Sequence, residues 1–197
     1  MKRYLAILLI LSIFITSCGG GTMNRTATIE TNMGVIKITL FEDKMPITTK
    51  NFIDLAEKGF YDGSKFHRVI GPAKAPPSGF MIQGGDPLTK DDSKKAMWGT
   101  GGPGYTIQDE FVEGLSNKKG TIAMANTGQA NSGGSQFFIN LGDNSFLDFN
   151  KQPLQSKHPV FGEVVEGLDV IEKIARVETD RQDKPVEDVV IEKVTIR

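Results

Sequence analysis

"TATIETNMGVIKITLF" (26–41) sets the fold class. Two runs rich in threonine, isoleucine and valine flank Asn32, Met33 and Gly34, so the stretch reads as two strands joined by a tight turn. In the second run Ile36, Ile38 and Leu40 alternate with Lys37 and Thr39, the period of a strand with one buried face. The next stretch, "MPITTKNFIDLAEKGF" (45–60), changes period. Phe52, Leu55 and Ala56 recur at helical spacing, Pro46 suits a first turn, and Gly59 suits the position past the end. Strand-like runs then return at "SKFHRVI" (64–70), "FMIQG" (80–84), "TIAMAN" (121–126), "QFFINL" (136–141), "PVFGEVV" (159–165) and "VVIEKVTI" (189–196). Between them "GPAKAPPSG" (71–79) has the composition of a surface loop, and "GLDVIEKIAR" (167–176) reads as a second helix. Many short strands with a helix near each end predict a mainly β protein. A closed antiparallel barrel is the expected form, because closure removes exposed strand edges.

The whole chain narrows the function. A length of 197 residues fits one domain, and a net charge of −1 gives no reason to expect a nucleic-acid partner. A single cysteine excludes an internal disulfide, and with two histidines it leaves no basis for a zinc site. The N-terminus is a separate object. Lys2 and Arg3 precede "LAILLILSIFI" (5–15), which is too short to span a bilayer and reads as the apolar core of a secretory signal. "ITSCGGG" (15–21) places the only cysteine where cleavage is expected, and this resembles a bacterial lipoprotein signal. The expectation is a signal peptide at 1–17, a lipidated Cys18 beginning a flexible tether at 18–25, and a domain at 26–197. An ordinary signal peptide with an incidental cysteine is the alternative. Several acyl chains would hold the protein on a membrane at the cell envelope, on a periplasmic or cell-surface face. Gly19 after the cysteine, rather than an aspartate, resembles signals without inner-membrane retention.

Few residues offer covalent chemistry. Ser135 in "GGSQF" lacks the final glycine of a nucleophile elbow. "GTGGPG" (99–104) has no Lys-Ser/Thr after it and reads as a plain loop, not a phosphate cradle. Asp109 and Glu110 read as a solvated turn or a helix cap. Strand alternation is more informative. Arg68 shares a face with Phe66 and Ile70, Gln83 with Met81, and Gln136 with Phe138. Each strand thus sets a polar donor beside apolar groups. A surface ion pair would explain Arg68 alone; three such strands point to a ligand surface. An apolar surface with neutral amides and one cation suits a reaction that breaks no covalent bond. Rotation about a peptide bond is one, with a barrier of ~18–20 kcal/mol. It needs no nucleophile, metal or cofactor.

"YDGSKFHRVI", "FMIQGGDP", "GTGGPGY", "IAMANTG", "NSGGSQFFI" and "VFGEVVEGLDVIEKI" together resemble the cyclophilin family of peptidyl-prolyl isomerases, in the family's order and over nearly all of 26–197. The resemblance implies an eight-stranded antiparallel barrel capped by two helices, with no cofactor. It implies a catalytic Arg68 that donates toward the prolyl nitrogen, and a Gln83 that helps hold arginine and substrate. Phe80, Met81, Phe138 and Leu147 match the proline pocket. Asn126, between Ala125 and Thr127, matches the segment that binds substrate backbone, and Gln136, His158 and Gly99 match the rim. The partners implied are proline-containing peptides and unfolded proteins. Four departures stand out. "GPAKAPPSG" lengthens the link after Arg68, one extra residue sits in "TGQANSGGSQ", "DFNKQPLQSK" lengthens the approach to His158, and Phe146 stands where many members carry tryptophan. That tryptophan helps grip cyclosporin, so weakened cyclosporin affinity is expected. A surface-held module that grips proline segments without useful catalysis is the competing reading; a structural lipoprotein comes third.

Overall fold

The computed structural model describes residues 24–152 and 157–197. The signal segment 1–17, Cys18 and the tether up to residue 23 lie outside the described residues. The expected first hairpin forms from β1 (Thr26–Thr31) and β2 (Gly34–Leu40). It is followed by α1 (Pro46–Glu57), β3 (Arg68–Ile70), β4 (Met81–Gly84), β5 (Thr121–Met124), β6 (Phe137–Asn140), β7 (Val160–Glu166), α2 (Leu168–Ile174) and β8 (Ile191–Ile196). The strands form one eight-stranded sheet in the order β3-β4-β6-β5-β7-β2-β1-β8, and every neighbouring pair is antiparallel.

The sheet curls around a core fed by the inward positions of its strands. Ala27, Ile29, Ile36, Ile38, Leu40, Ile82, Ile122 and Ile139 are fully buried there. Helix α1 lays Phe52 against this core, its ring 5.1 Å from Tyr61, 5.6 Å from Phe137 and 5.5 Å from Phe161. The Glu110 carboxylate accepts from the backbone N–H groups of Ile47 (3.0 Å) and Thr48 (2.6 Å). It therefore caps the exposed donors at the start of α1, and the cap reading of this carboxylate holds. Asp109 instead accepts from the backbone N–H of Asn131 at 2.8 Å.

The expected closure of the barrel is not made. β3 and β8 are the two edges of the sheet and are not paired strands. The strand expected over 64–70 is regular only from Arg68, and what precedes it meets the 188–191 segment through a single bridge, Lys65 to Val190. Two backbone bonds flank that bridge, Ile191 N–H to Ser64 O (2.7 Å) and Phe66 N–H to Val189 O (2.9 Å). On β3 the N–H of Val69 is taken by the carbonyl of Asp183 at 2.8 Å, in the loop leading to β8. An amide committed there cannot also serve a ladder with β8. The result is an open half-barrel whose edges are satisfied by loops.

Candidate active site

The antiparallel register lines up Arg68, Gln83, Phe138, Ala123 and Val160 in one row across β3, β4, β6, β5 and β7. Their neighbours in sequence, Val69, Ile82, Phe137 and Ile122, point into the main core. The row therefore lies on the other face, because successive side chains alternate. There Met81, Ala123, Phe138, Leu147 and Val160 form a second buried apolar cluster, with Ile70, Phe80 and Ala125 partly buried against it. Arg68 ends the row, half-exposed, its Nε 3.5 Å from Asp183 Oδ2. That is a surface contact of the kind weighed from sequence. Among the described residues the guanidinium makes no hydrogen bond, so its donors remain free.

Gln83 is fixed through a relay. Its Nε2 donates to Gln136 Oε1 at 2.9 Å. Gln136 Nε2 donates in turn to the carbonyls of Gly99 (3.0 Å) and Gly101 (2.8 Å). Two carbonyls can only accept, so the orientation of the Gln136 amide is dictated by chemistry. The loop bearing those carbonyls hangs on Asp86, a wholly buried carboxylate that accepts from the N–H groups of Gly99 (2.5 Å) and Gly101 (3.2 Å). A Cβ on Gly101 would lie 2.1 Å from Asp86 Oδ1, so only glycine permits this approach. "GTGGPG" is thus a tethered loop. It also walls a groove of about 440 Å³ that Gln83, Gln136, Ala125, Asn126 and Thr127 share.

The rim residues divide by place. His158 packs edge-on against Phe138, ring centroids 5.2 Å apart. Its Nδ1 lies 3.0 Å from Met124 O, so that nitrogen carries the proton and Nε2 is an acceptor. Burial pushes its pKa down and keeps it neutral. Asn126 is held by its side chain, Nδ2 donating to Lys157 O (2.6 Å) and Oδ1 accepting from Gly128 N–H (3.0 Å). Among the described residues its backbone N–H and C=O take no partner, which leaves an edge for an extended chain. Leu147 is buried in the apolar cluster, whereas Phe146 is 54% exposed and stacks on Phe80 with centroids 6.0 Å apart. Ser135 donates to Gly85 O at 2.7 Å and is buried, so it serves structure, not attack.

Two supports escape the sequence reading. One is Asp86. The other is a buried amide network under the Phe146–Leu147 turn. Asn144 Nδ2 donates to Phe80 O (2.7 Å) and Asn140 Oδ1 (2.8 Å), and Asn117 donates through N–H (2.9 Å) and Nδ2 (3.0 Å) to Asp148 Oδ1. The one sequence signal was Asn140, a lone amide in an otherwise apolar strand. His67 also went unassigned. It is 3% exposed, neither ring nitrogen has a partner among the described residues, and burial pushes its pKa down to about 4.

Residues 26–196 match the family model described as cyclophilin type peptidyl-prolyl cis-trans isomerase/CLD. Peptidyl-prolyl cis-trans isomerase B of Escherichia coli (strain K12) is 46% identical over 176 residues, covering 86% of this chain and 98% of that protein. Peptidyl-prolyl cis-trans isomerase A of Dickeya dadantii (strain 3937) is 40% identical, over 85% of this chain and 82% of that one. Among solved structures, a Cryptosporidium parvum cyclophilin type isomerase, crystallised in the presence of the dipeptide Ala-Pro, superposes with a TM-score of 0.73 at 28% identity. It covers 87% of this chain and 98% of that one. The chain belongs to the cyclophilin-type peptidyl-prolyl cis-trans isomerases, and rotation about X–Pro bonds is its activity.

Proposed function

We propose that Arg68 and Gln83 are the catalytic residues, acting on proline-containing peptides and unfolded proteins. The observation that carries this is the single row Arg68–Gln83–Phe138, which sets free guanidinium donors beside a fixed amide and an apolar floor. The proline ring lies on Phe80, Met81, Phe138 and Leu147, with His158 as a neutral wall. The substrate backbone pairs along Asn126, between Ala125 and Thr127. In a planar amide the prolyl nitrogen shares its lone pair with the carbonyl and accepts nothing. As the bond twists the pair localises, and Arg68 donates to it. That bond exists only in the transition state, so it lowers the barrier without tightening ground-state binding. One Gln83 N–H goes to Gln136; the other is free for the substrate carbonyl. A ~10⁵-fold gain needs about 7 kcal/mol, and one charge-assisted bond in a preorganised site supplies a good part of that. A protease-coupled isomerisation assay on a proline tetrapeptide tests the reading: an Arg68 variant with full activity would end it.

A second part of the proposal concerns location. Cys18 is lipidated and holds the domain on a membrane at the cell envelope, where it assists folding of exported chains. Support comes from the signal-like residues before Cys18. Labelling cells with a fatty-acid analogue should mark the wild type and not Cys18→Ala; equal labelling would refute the anchor.

A further inference from the structure

The inserted loop 71–79 does more than lengthen a link. Its base is closed by Phe80 N–H donating to Ile70 O at 2.7 Å, and Gly79 N–H donates to Ala75 O at 2.7 Å inside it. Gly71 packs so closely on the next layer that a Cβ there would sit 1.7 Å from Ala175 O. Lys74 pins the outer arm, donating to Asp180 O (2.6 Å) and pairing with Asp183 (2.8 Å). Pro76 and Pro77 fall between these anchors and have little backbone freedom to lose on binding. The loop is therefore a built wall.

Opposite it stand Phe80 and Phe146, stacked, with Gly142 and Asp143 closing one end. The space between is a groove of about 560 Å³, within the usual range for binding sites. It runs directly into the substrate row. Ile70 lines it, and Ile70 is two residues from Arg68 on the same face of β3, or about 7 Å along the strand. An extended peptide covers about the same distance in two residues. A peptide with its proline before Arg68 thus brings a nearby side chain to the groove mouth. The walls are mainly apolar, broken by Ser78 and Asn144, and among the described residues that line it the one carboxylate is Asp143.

We propose that loop 71–79, Phe80 and Phe146 form a subsite for a large apolar side chain one or two residues from the proline. This rests on the isomerase reading and refines its substrate class. An aromatic or leucine side chain fills the groove; an acidic one is repelled by Asp143. Natural substrates are then prolines flanked by core-forming residues, as in unfolded chains.

Exchange NMR on X–Pro peptides avoids a coupling protease with preferences of its own. Peptides carrying Phe, Leu, Ala or Glu at each of the two positions on either side of proline should differ at one position. There Phe and Leu should exceed Ala in kcat/KM by about tenfold, the low end of what an apolar pocket gains, and Glu should fall below Ala. Ala75→Trp and, separately, Ser78→Trp should fill the groove and bring Phe and Leu down to the Ala level. Turnover of the all-Ala peptide should stay within twofold, which separates failure of the subsite from failure of catalysis. Equal rates for Phe and Ala at every position in the wild type would overturn the proposal. So would a preference that survives in both tryptophan variants with native circular dichroism.

Discussion

Replacing Arg68 by alanine separates catalysis from architecture. The side chain is half-exposed, and its only ionic contact among the described residues is the 3.5 Å approach to Asp183. Asp183 keeps a closer partner, Lys74 at 2.8 Å. An exposed pair of this kind is worth about 0–1 kcal/mol, so the melting temperature should fall by no more than about 4 °C. The transition state loses much more. A hydrogen bond from a charged donor contributes about 1.5–3 kcal/mol, which is about 10- to 150-fold in kcat/KM at 1.36 kcal/mol per factor of ten. Arg68→Lys should also be poor, since a compact ammonium cannot reproduce the planar fork. The assay is protease-coupled isomerisation of a proline tetrapeptide, with thermal unfolding in parallel. Asp183→Ala is the control. If the arginine mattered only as the partner of that carboxylate, both variants would lose activity equally. Near-wild-type kcat/KM in well-folded Arg68→Ala would refute the mechanism.

Three further outcomes follow from the site. His67 is buried neutral, with its pKa lowered from 6.5 to about 4. The unfolded chain therefore binds a proton that the folded one refuses, and stability falls as pH drops from about 6.5 to about 4, by about 3 kcal/mol from this group. Urea unfolding of wild type and His67→Leu at pH 7 and pH 4 should show a smaller drop in the variant; parallel curves would contradict it. Gln136→Leu removes the acceptor of Gln83 and the donor to the Gly99 and Gly101 carbonyls. It should cost about tenfold in kcat/KM, the equivalent of one hydrogen bond, and unchanged kinetics would show that the relay does not position Gln83. Phe146 offers a ring but no donor, so Phe146→Trp should tighten cyclosporin several-fold, about 0.5–1.5 kcal/mol for one hydrogen bond; calorimetry giving equal affinities would rule that out.

Most elements were legible because their signals are local. The β1–β2 hairpin, both helices and the strands around Gln83 and Phe138 follow from period, from Pro46 and Gly59 at the ends of α1, and from glycine turns. The row of Arg68, Gln83 and Phe138 was legible only in part. Alternation set Arg68 beside Ile70 and Gln83 beside Met81. It also set Phe66 on the Arg68 face, whereas Phe66 lies before the regular strand and packs into the main core against Phe137. The register that joins the strands comes from long-range pairing. What held the row in place was not legible. Asp86 supports Gln83 through two intermediates, Gly99 and Gln136, and each link joins residues far apart in sequence. The amide network below Phe146 joins Asn117, Asn140, Asn144 and Asp148, of which only Asn140, in its apolar strand, carries a local signal. Buried polar groups must be satisfied, but sequence does not say by whom.

The missed closure has the same origin, and it bears on catalysis. Edge avoidance predicts a closed barrel, yet an edge is equally satisfied when a loop takes its donors. Here the loop before β8 does so: Asp183 binds the Val69 amide through its carbonyl and faces Arg68 with its carboxylate. Asp183 adopts φ 65, a left-handed conformation uncommon outside glycine, so this placement is held against a local backbone preference. Lys74 of the inserted loop secures it. The contact that leaves the sheet open therefore also fixes a carboxylate beside Arg68, the arginine proposed to act on the twisting amide.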